Sequence, residues 1–469
     1  MSSTALYGAA DVLVLLVGGF LLLPLYTRTL SQAEFGQFVV IRTGIELLTY
    51  LLHFGLISAV ARLYFDQQEL AARREYMTSV VMLFVLILAG WAALAAGFGE
   101  RAWRAVVPGA PAQPYLWLSI ALAVVAFFGN LASAWLRLDA RAWAFVALQV
   151  AAAAALATAA FVNLSVLALG LHGLLLAMFA GPLVTAAVLP VLFGRHFRPR
   201  LQRAHALPTL HYALPAVASL VAYFVLNRIG IVILQRHATL DEVAVFGLAQ
   251  QLALLIALTG VAFGKSMQPA VFGAAAEAAQ DLMRRFGRML TLGLATTTAL
   301  LMLFGSELMA LIAPASYRSG HIQLLILAFS TFTYALGLLA DTALLHGRRP
   351  RMSAALTLCG ALLSTLLGLL LIPRYAALGA ALAMATAFLA TTLVGQVVAA
   401  RLTGLSFLRE TLPALGLVAI VAVFAHWLHG LAPAITLGVV LAKILLTGAL
   451  LAAIYRLFLN GDSARMQVS

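Results

Sequence analysis

The 469-residue chain reads as an all-α polytopic membrane protein of fourteen transmembrane helices. The expected plan is two six-helix repeat lobes around a central cavity, plus two C-terminal helices. Three observations predict it. Hydrophobic residues make up 64% of the chain and charged residues 10%, whereas a soluble domain carries about 25% charged residues. Apolar runs of about 20 residues recur from end to end, each long enough to cross a bilayer with its backbone groups bonded within the segment. The third observation is a repeat. The pattern R-x-x-[ST]-x-x-E-x-x-x-F occurs at Arg28, Ser31, Glu34 and Phe38, and again 208 residues later at Arg236, Thr239, Glu242 and Phe246.

Met1 to Ala10 contains no basic residue, and Asp11 enters the first apolar run. This is not the charged start of a secretory signal, so the first run is expected to be a retained span. The spans fall at about 8–27, 36–58, 77–98, 115–135, 143–162, 167–193, 212–234, 243–266, 288–310, 321–345, 352–372, 376–400, 412–430 and 434–456. The division of 143–193 into two rests on a break at Asn163 to Ser165. Residues 1–205 then form the first lobe, 206–405 the second, and 406–469 the terminal pair with a short tail. No connector is long enough for a soluble domain. The longest, near 196–211 and 267–287, are basic, and the second has the pattern of an amphipathic surface helix.

The net charge is +13, and its distribution is informative. Loops on one side carry twenty basic residues, among them Arg73, Arg74, Arg200, Arg284, Arg285, Arg348 and Arg349. The opposite loops carry six: Arg28, Arg101, Arg104, Arg236, Arg318 and Arg374. The positive-inside rule places both termini in the cytoplasm. Basic residues scattered through short loops describe topology, and no nucleic-acid partner is expected. Cys359 is the only cysteine, so no intrachain disulfide can form.

Ser31-x-x-Glu34 and Thr239-x-x-Glu242 are capping boxes, in which hydroxyl and carboxylate reciprocally bond the first free backbone donors of a helix. Each should start the second helix of its half at the outer membrane face. The offset continues through Ser58 and Ser266, and Arg141 and Arg349. After a two-residue slip it also pairs Gly173 to Met178 with Gly379 to Met384. Six helices separate the copies, so the halves run the same way, as parallel repeats about an axis along the membrane normal.

Charges inside spans are costly and are functional candidates by default. The reading finds six: Asp11, Arg42, Glu46, Arg228, Asp341 and Lys443. Arg42 and Glu46 are four apart and share a helix face, which His53 continues. This stripe is expected to face a hydrated cavity, or else to form a structural ion pair between helices. Glu46 in such a cavity is a candidate for proton exchange. In span 7, His211, Pro215, Ser219, Tyr223 and Asn227 follow at four-residue steps, with Arg228 adjacent. They mark a lining face that flexes at the proline, or a kinked packing face with interhelical hydrogen bonds. Asp341 and Asp11 are further candidates for ion coupling, with an interhelix cap and an interfacial position as their respective alternatives. Lys443 either snorkels outward or pairs with an acid. Arg28 and Arg236 are repeat mates at the outer mouth, placed to meet an anionic group or to anchor helix ends.

Other chemistry is missing. There is no G-x-x-x-x-G-K-[ST] loop for nucleotide hydrolysis, no H-E-x-x-H or Cys/His cluster for zinc, and no soluble region to hold a transferase site. The expectation is movement driven by an ion gradient, not an enzymatic reaction. No cofactor is expected beyond a coupling H+ or Na+.

Leu25-Tyr26-Thr27-Arg28-Thr29-Leu30-Ser31-Gln32-Ala33-Glu34-Phe35-Gly36, followed by Phe54-Gly55-Leu56-Ile57-Ser58-Ala59-Val60-Ala61-Arg62, resembles the opening of bacterial polysaccharide flippases. These belong to the multidrug/oligosaccharidyl-lipid/polysaccharide (MOP) exporter superfamily. Tyr212-Ala213-Leu214-Pro215, Asn227-Arg228, Gly247-Leu248-Ala249-Gln250 and Gly347-Arg348-Arg349 extend the resemblance over roughly residues 5–400. It implies lobes arranged in a V, alternating access by rocking, and a location in the bacterial inner membrane. The implied cargo is an oligosaccharide on undecaprenyl pyrophosphate, carried from the inner to the outer leaflet. Polysaccharide polymerase or export proteins are implied as partners, with the lipid bilayer as surroundings. By position, Arg42 and Arg228 match the arginines that hold pyrophosphate or sugar acids. Arg28, Arg236, Asn227, Tyr223 and His53 are the accompanying cavity candidates, and Glu46, Asp341 and Asp11 those for ion coupling. The chain departs from the family pattern in that its six intramembrane charges sum to zero, which suits a neutral or mixed-charge glycan. It also resembles peptidoglycan-precursor flippases in span count but lacks their glycine- and acid-rich opening. Multidrug antiporters of the superfamily usually have twelve spans. A cation antiporter of the same fold and a non-transporting scaffold of a glycan synthase complex are the competing functions.

Overall fold

The structure is a computed structural model that describes residues 3–194, 197, 199–272 and 276–431, together with Lys443 and Gly448. Among the described residues it is helical, without strands. Twelve helical stretches are long and apolar enough to cross a membrane. One of them, α15 (Pro350–Thr403), has 54 residues. A straight helix of that length would extend about 80 Å, against a hydrocarbon core of about 30 Å. Its continuity breaks at Ala376, where φ is 46° and ψ is −125°. It therefore supplies two crossings, matching the expected spans 352–372 and 376–400. Thirteen of the fourteen expected crossings are thus present among the described residues. The fourteenth, 434–456, lies outside them apart from Lys443 and Gly448.

Two compact units make up the chain, Met1–Ala244 and Val245–Ser469. In the first, span 1 comprises α1 (Ser3–Leu16), a π-helical turn at Val17–Leu21 and α2 (Leu23–Thr29). Helix α3 (Gln32–His53) starts at the capping box and ends where Phe54 and Gly55 both take positive φ, 48° and 66°. The expected span 36–58 is therefore bent, and α4 (Leu56–Leu63) leaves in a new direction. A side chain on Gly55 would put its Cβ 2.7 Å from the Ala213 carbonyl oxygen, so glycine answers both the conformation and the close approach. The long α5 (Leu70–Val106) and α6 (Tyr115–Leu138) follow. Leu56, Tyr64, Phe84, Phe127 and Phe145 are each at most 1% exposed and pack in the core of this unit.

The break expected at Asn163 is present. Helix α7 (Ala142–Phe161) passes into a π-helical turn at Val162–Val166, and Asn163 Nδ2 donates to the Gly173 carbonyl at 2.9 Å. Span 6 is three short helices, α8 (Gly170–Ala177), α9 (Ala180–Ala186) and α10 (Leu189–Phe193). Helix α11 (Arg203–Leu234) remains helical across Pro208 and Pro215 and packs on α3, α4 and α5. The repeat boundary at 205/206 thus falls in the first turn of α11, and the compact-unit boundary at 244/245 falls beyond its end, within α12 (Leu240–Phe272).

The second unit takes in α12 (Leu240–Phe272) from Val245 onward, α13 (Ala276–Ile312), α14 (His321–His346), α15 and α16 (Leu408–Leu431). The surface helix expected over 267–287 is replaced by the extended ends of α12 and α13.

Candidate functional site

The local sequence of α3 explains how it carries charge into the membrane. Ser31 Oγ accepts from the Glu34 backbone N–H at 3.2 Å, and Glu34 Oε2 accepts from the Ser31 backbone N–H at 2.9 Å. The second box forms as well: Glu242 N–H donates to Thr239 Oγ1, and Thr239 N–H to Glu242 Oε2, each at 3.3 Å. Further along α3, the Thr43 and Thr49 hydroxyls donate back to the Val39 and Ile45 carbonyls. Such internal partners let a polar helix stand in an apolar surrounding.

The first unit brings Arg42, Glu46 and Arg228 together between α3 and α11. Arg228 Nε donates to Glu46 Oε2 at 2.8 Å, with side-chain exposures of 17% and 23%. The Tyr50 hydroxyl donates to the other carboxylate oxygen, Oε1, at 3.1 Å. Arg42, one turn before Glu46, interacts electrostatically with Arg228, Glu46 and Tyr26. Tyr223, 37% exposed, lies on α11 near Tyr50. Asn227 Nδ2 donates to the Tyr223 carbonyl at 2.9 Å. Two guanidiniums and one carboxylate therefore lie together, with Tyr26, Tyr50 and Tyr223 beside them. The fork geometry of arginine suits an oxyanion such as a phosphate or a carboxylate.

The structure thus brings together Arg42, Glu46, Arg228, Tyr223 and Asn227. It separates the others. His53 continues the stripe in register, but it is 7% exposed. Its Nε2 lies 2.9 Å from the Ala123 carbonyl, and its ring packs on Phe84 and Phe127. The expectation that it faces a hydrated cavity is corrected: the last turn of α3 is covered by α5 and α6. Asp11 pairs with Arg137 at 3.2 Å. Asp341 accepts from the Ser353 hydroxyl and so links α14 to α15. Arg236 donates to the Ala105 carbonyl, and neighbouring Gln235 bonds Val106 and Gly109, so this pair holds the α5–α6 connector. Its repeat mate Arg28 is exposed at the end of α2.

Three participants escaped the sequence reading. Tyr26 and Tyr50 carry no charge and so were not selected as intramembrane candidates. Glu307 is an intramembrane acid inside the expected span 288–310 and was missed among the charges named there. In the second unit it accepts from Lys443 Nζ at 2.6 Å, which makes Lys443 a paired residue.

Outside the spans, the Tyr64 hydroxyl donates to Asp139, and Arg73 lies over the Tyr64 ring at 5.0 Å. Burial, with the neighbouring Asp139 carboxylate, pushes the Tyr64 phenol up to about 12.

With this geometry in view, comparison with known proteins is direct. The family described as polysaccharide biosynthesis protein matches residues 4–271, more than half of the chain. No curated protein sequence matches. Among solved structures, the lipid II flippase MurJ in an inward closed conformation aligns with a TM-score of 0.72 and 13% identity, over 98% of this chain and 97% of that one. A multidrug resistance MATE family transporter of the MOP superfamily, in its inward-facing conformation, aligns with a TM-score of 0.63 and 19% identity, over 86% and 96%. A MOP superfamily transporter from Pyrococcus furiosus, described as having a binding pocket of reverse polarity, gives 0.55 and 17%, over 86% and 94%. At these identities the likeness is one of fold. Taken with the repeat and the long apolar helices, the family match shows that this chain belongs to the polysaccharide biosynthesis protein family.

Proposed function

We propose that the chain is a flippase carrying an undecaprenyl-pyrophosphate-linked oligosaccharide from the inner to the outer leaflet of a bacterial inner membrane. The flipped units would feed a surface or extracellular polysaccharide. Transport proceeds by alternating access and is coupled to an ion gradient, and both termini are cytoplasmic. The observation that carries this reading is the arrangement of Arg42 and Arg228 around the single carboxylate of Glu46. A pyrophosphate presents several acceptor oxygens to two arginine forks, and the tyrosines beside them offer hydroxyls to sugar. The match to the polysaccharide biosynthesis family supports the same cargo class. The fold shared with a multidrug transporter favours a second reading, export of organic cations. Two arginines at the site oppose that cargo by like-charge repulsion.

A deletion strain tests the proposal. The expected result is accumulation of lipid-linked repeat units in the inner leaflet and loss of the polymer. Restoration by the unmodified chain but not by Arg42→Ala, with both assembled in the membrane, assigns the defect to transport and excludes a scaffold. Normal polysaccharide together with lost drug resistance would refute the flippase reading.

A further inference from the structure

Helix α3 carries Arg42, Glu46 and Tyr50 at four-residue steps, so the three side chains share one face. Arg228 reaches this face from α11. Glu46 uses its two carboxylate oxygens differently. Oε2 accepts from Arg228 Nε at 2.8 Å, across the helix interface. Oε1 accepts from the Tyr50 hydroxyl at 3.1 Å, within α3. Arg42 acts on the same carboxylate from one turn earlier on that helix.

Three features mark the Glu46–Arg228 contact as displaceable. Neither side chain is sealed, since Arg228 is 17% and Glu46 23% exposed. Letting go of Arg228 does not strand the carboxylate. A carboxylate stripped of every partner in a membrane is heavily penalised, but Tyr50 and Arg42 belong to the same helix as Glu46 and stay with it. The third feature is chemical. A side-chain carboxylate and a phosphate ester offer a guanidinium the same partner, an anionic oxygen on its N–H fork. Glu46 Oε2 therefore stands where an oxyanion bound to Arg228 Nε would place its own oxygen.

We propose that Glu46 is a tethered anion that occupies the cargo's place on Arg228 while the transporter is empty. The incoming pyrophosphate takes the guanidinium, and Glu46 withdraws to Tyr50 and Arg42 on its own helix. On the far side of the membrane the carboxylate reclaims Arg228 and so speeds release of the cargo. Tethering gives the carboxylate a high effective concentration, so a free anion displaces it only by bringing several oxygens to the two arginines at once. No covalent bond changes and no co-substrate is consumed. The two states differ in whether α3 is tied to α11 directly or through the cargo, and the cargo's differential affinity for them shifts the balance. The proposal rests on the flippase reading of the same site and adds that its carboxylate governs occupancy and release.

Inorganic pyrophosphate is the probe. Its binding to the full-length chain in nanodiscs of uncharged lipid is measured by calorimetry, at fixed ionic strength and without divalent metal. Glu46→Gln should bind it about tenfold tighter than the unmodified chain, the scale of one charge-assisted contact no longer competing. Glu46→Asp separates contact from charge: it keeps the negative charge but is one methylene short of Arg228, so it should bind tighter as well. Adding Arg228→Gln to either variant should abolish the gain. Equal or weaker binding by Glu46→Gln overturns the proposal, because the carboxylate is then a brace that orients Arg228. Binding by Glu46→Asp equal to that of the unmodified chain also overturns it, because charge alone then sets the affinity. Should Glu46→Gln fail to assemble as a monodisperse protein, Glu46→Asp with and without Arg228→Gln carries the comparison. In vesicles containing a polyprenyl-pyrophosphate-linked sugar, Glu46→Asp should lower both KM and the turnover number of flipping, since cargo is held more tightly and released more slowly. A raised KM or an unchanged turnover number overturns the proposal. If no variant binds pyrophosphate, the flippase reading of the site falls together with the role of Glu46. If the unmodified chain binds pyrophosphate but flips nothing, only the flippase reading fails, and the binding comparison decides whether Glu46 competes for Arg228.

Discussion

Arg228 and Glu46 meet across 2.8 Å and are 182 residues apart in sequence, so a single ion pair ties α11 to α3 within the first unit. The carboxylate also accepts from Tyr50 on its own helix, which fixes its orientation toward α11. Glu46 pairs with Arg228 and acts on Arg42 as well, and its replacement has predictable consequences.

Glu46→Gln removes the charge that offsets two guanidiniums. It should lower unfolding stability by about 1.5–3 kcal/mol, the range for a lost hydrogen bond to a charged group. The exchange Glu46→Arg with Arg228→Glu restores the pair in reverse and should recover most of that loss. Thermal unfolding of the four combinations in detergent gives the coupling energy directly.

Arg42→Lys keeps the charge of α3 but loses the planar fork. If the group binds a pyrophosphate, polysaccharide export should fall strongly with Arg42→Lys while membrane assembly stays normal, because a point charge replaces a two-bond contact. Export equal to that of the unmodified chain would show that only charge at this position matters.

The two capping boxes should be separately measurable. Ser31→Ala and Thr239→Ala each remove a side-chain acceptor at a helix start, at an expected cost of roughly 0.5–2 kcal/mol. The two helix starts touch each other, so the losses should depart from additivity in the double variant. A strongly non-additive result would reveal that the starts of α3 and α12 act as one element.

That outcome has a structural basis worth testing. A side chain on Gly36 would collide with the Leu240 carbonyl at the start of α12, and Gln32 Nε2 donates to the Asp241 carbonyl at 3.2 Å. Gly36→Ala is expected to cost about 1–3 kcal/mol, the range for overpacking a close contact, and to lower the midpoint of thermal unfolding.

Tyr64 supplies a pH dependence. Its phenol ionises near 10 when unfolded and about 12 in the folded chain, chiefly because of burial. A raised folded value means that the folded state holds the proton more tightly. The associated stability is complete below about pH 10 and is lost as pH rises toward about 12. The fall in unfolding free energy over that window should be shallower in Tyr64→Phe than in the unmodified chain.

What the sequence by itself determined is the class, the apolar stretches long enough to cross a membrane, and the two capped helix starts. Those follow from local properties: apolar length sets a span, and Ser31-x-x-Glu34 and Thr239-x-x-Glu242 set helix starts through groups three residues apart. The break at Asn163 was legible for the same reason. What only the tertiary structure decided is which charges meet. Arg42 and Glu46 share a face by periodicity alone, but their third member, Arg228, comes from a helix far along the chain and is chosen by how α11 packs. His53 lies in register with them, yet the covering of α3 by α5 and α6 turns it from a cavity residue into a buried one. The pairing of Lys443 with Glu307 likewise joins residues 136 apart in sequence. Local rules govern where a helix begins and how long it runs. The pairing of ionisable groups in a membrane depends on helix packing, because a buried charge must find its partner across an interface and no spacing along one helix specifies which interface that will be.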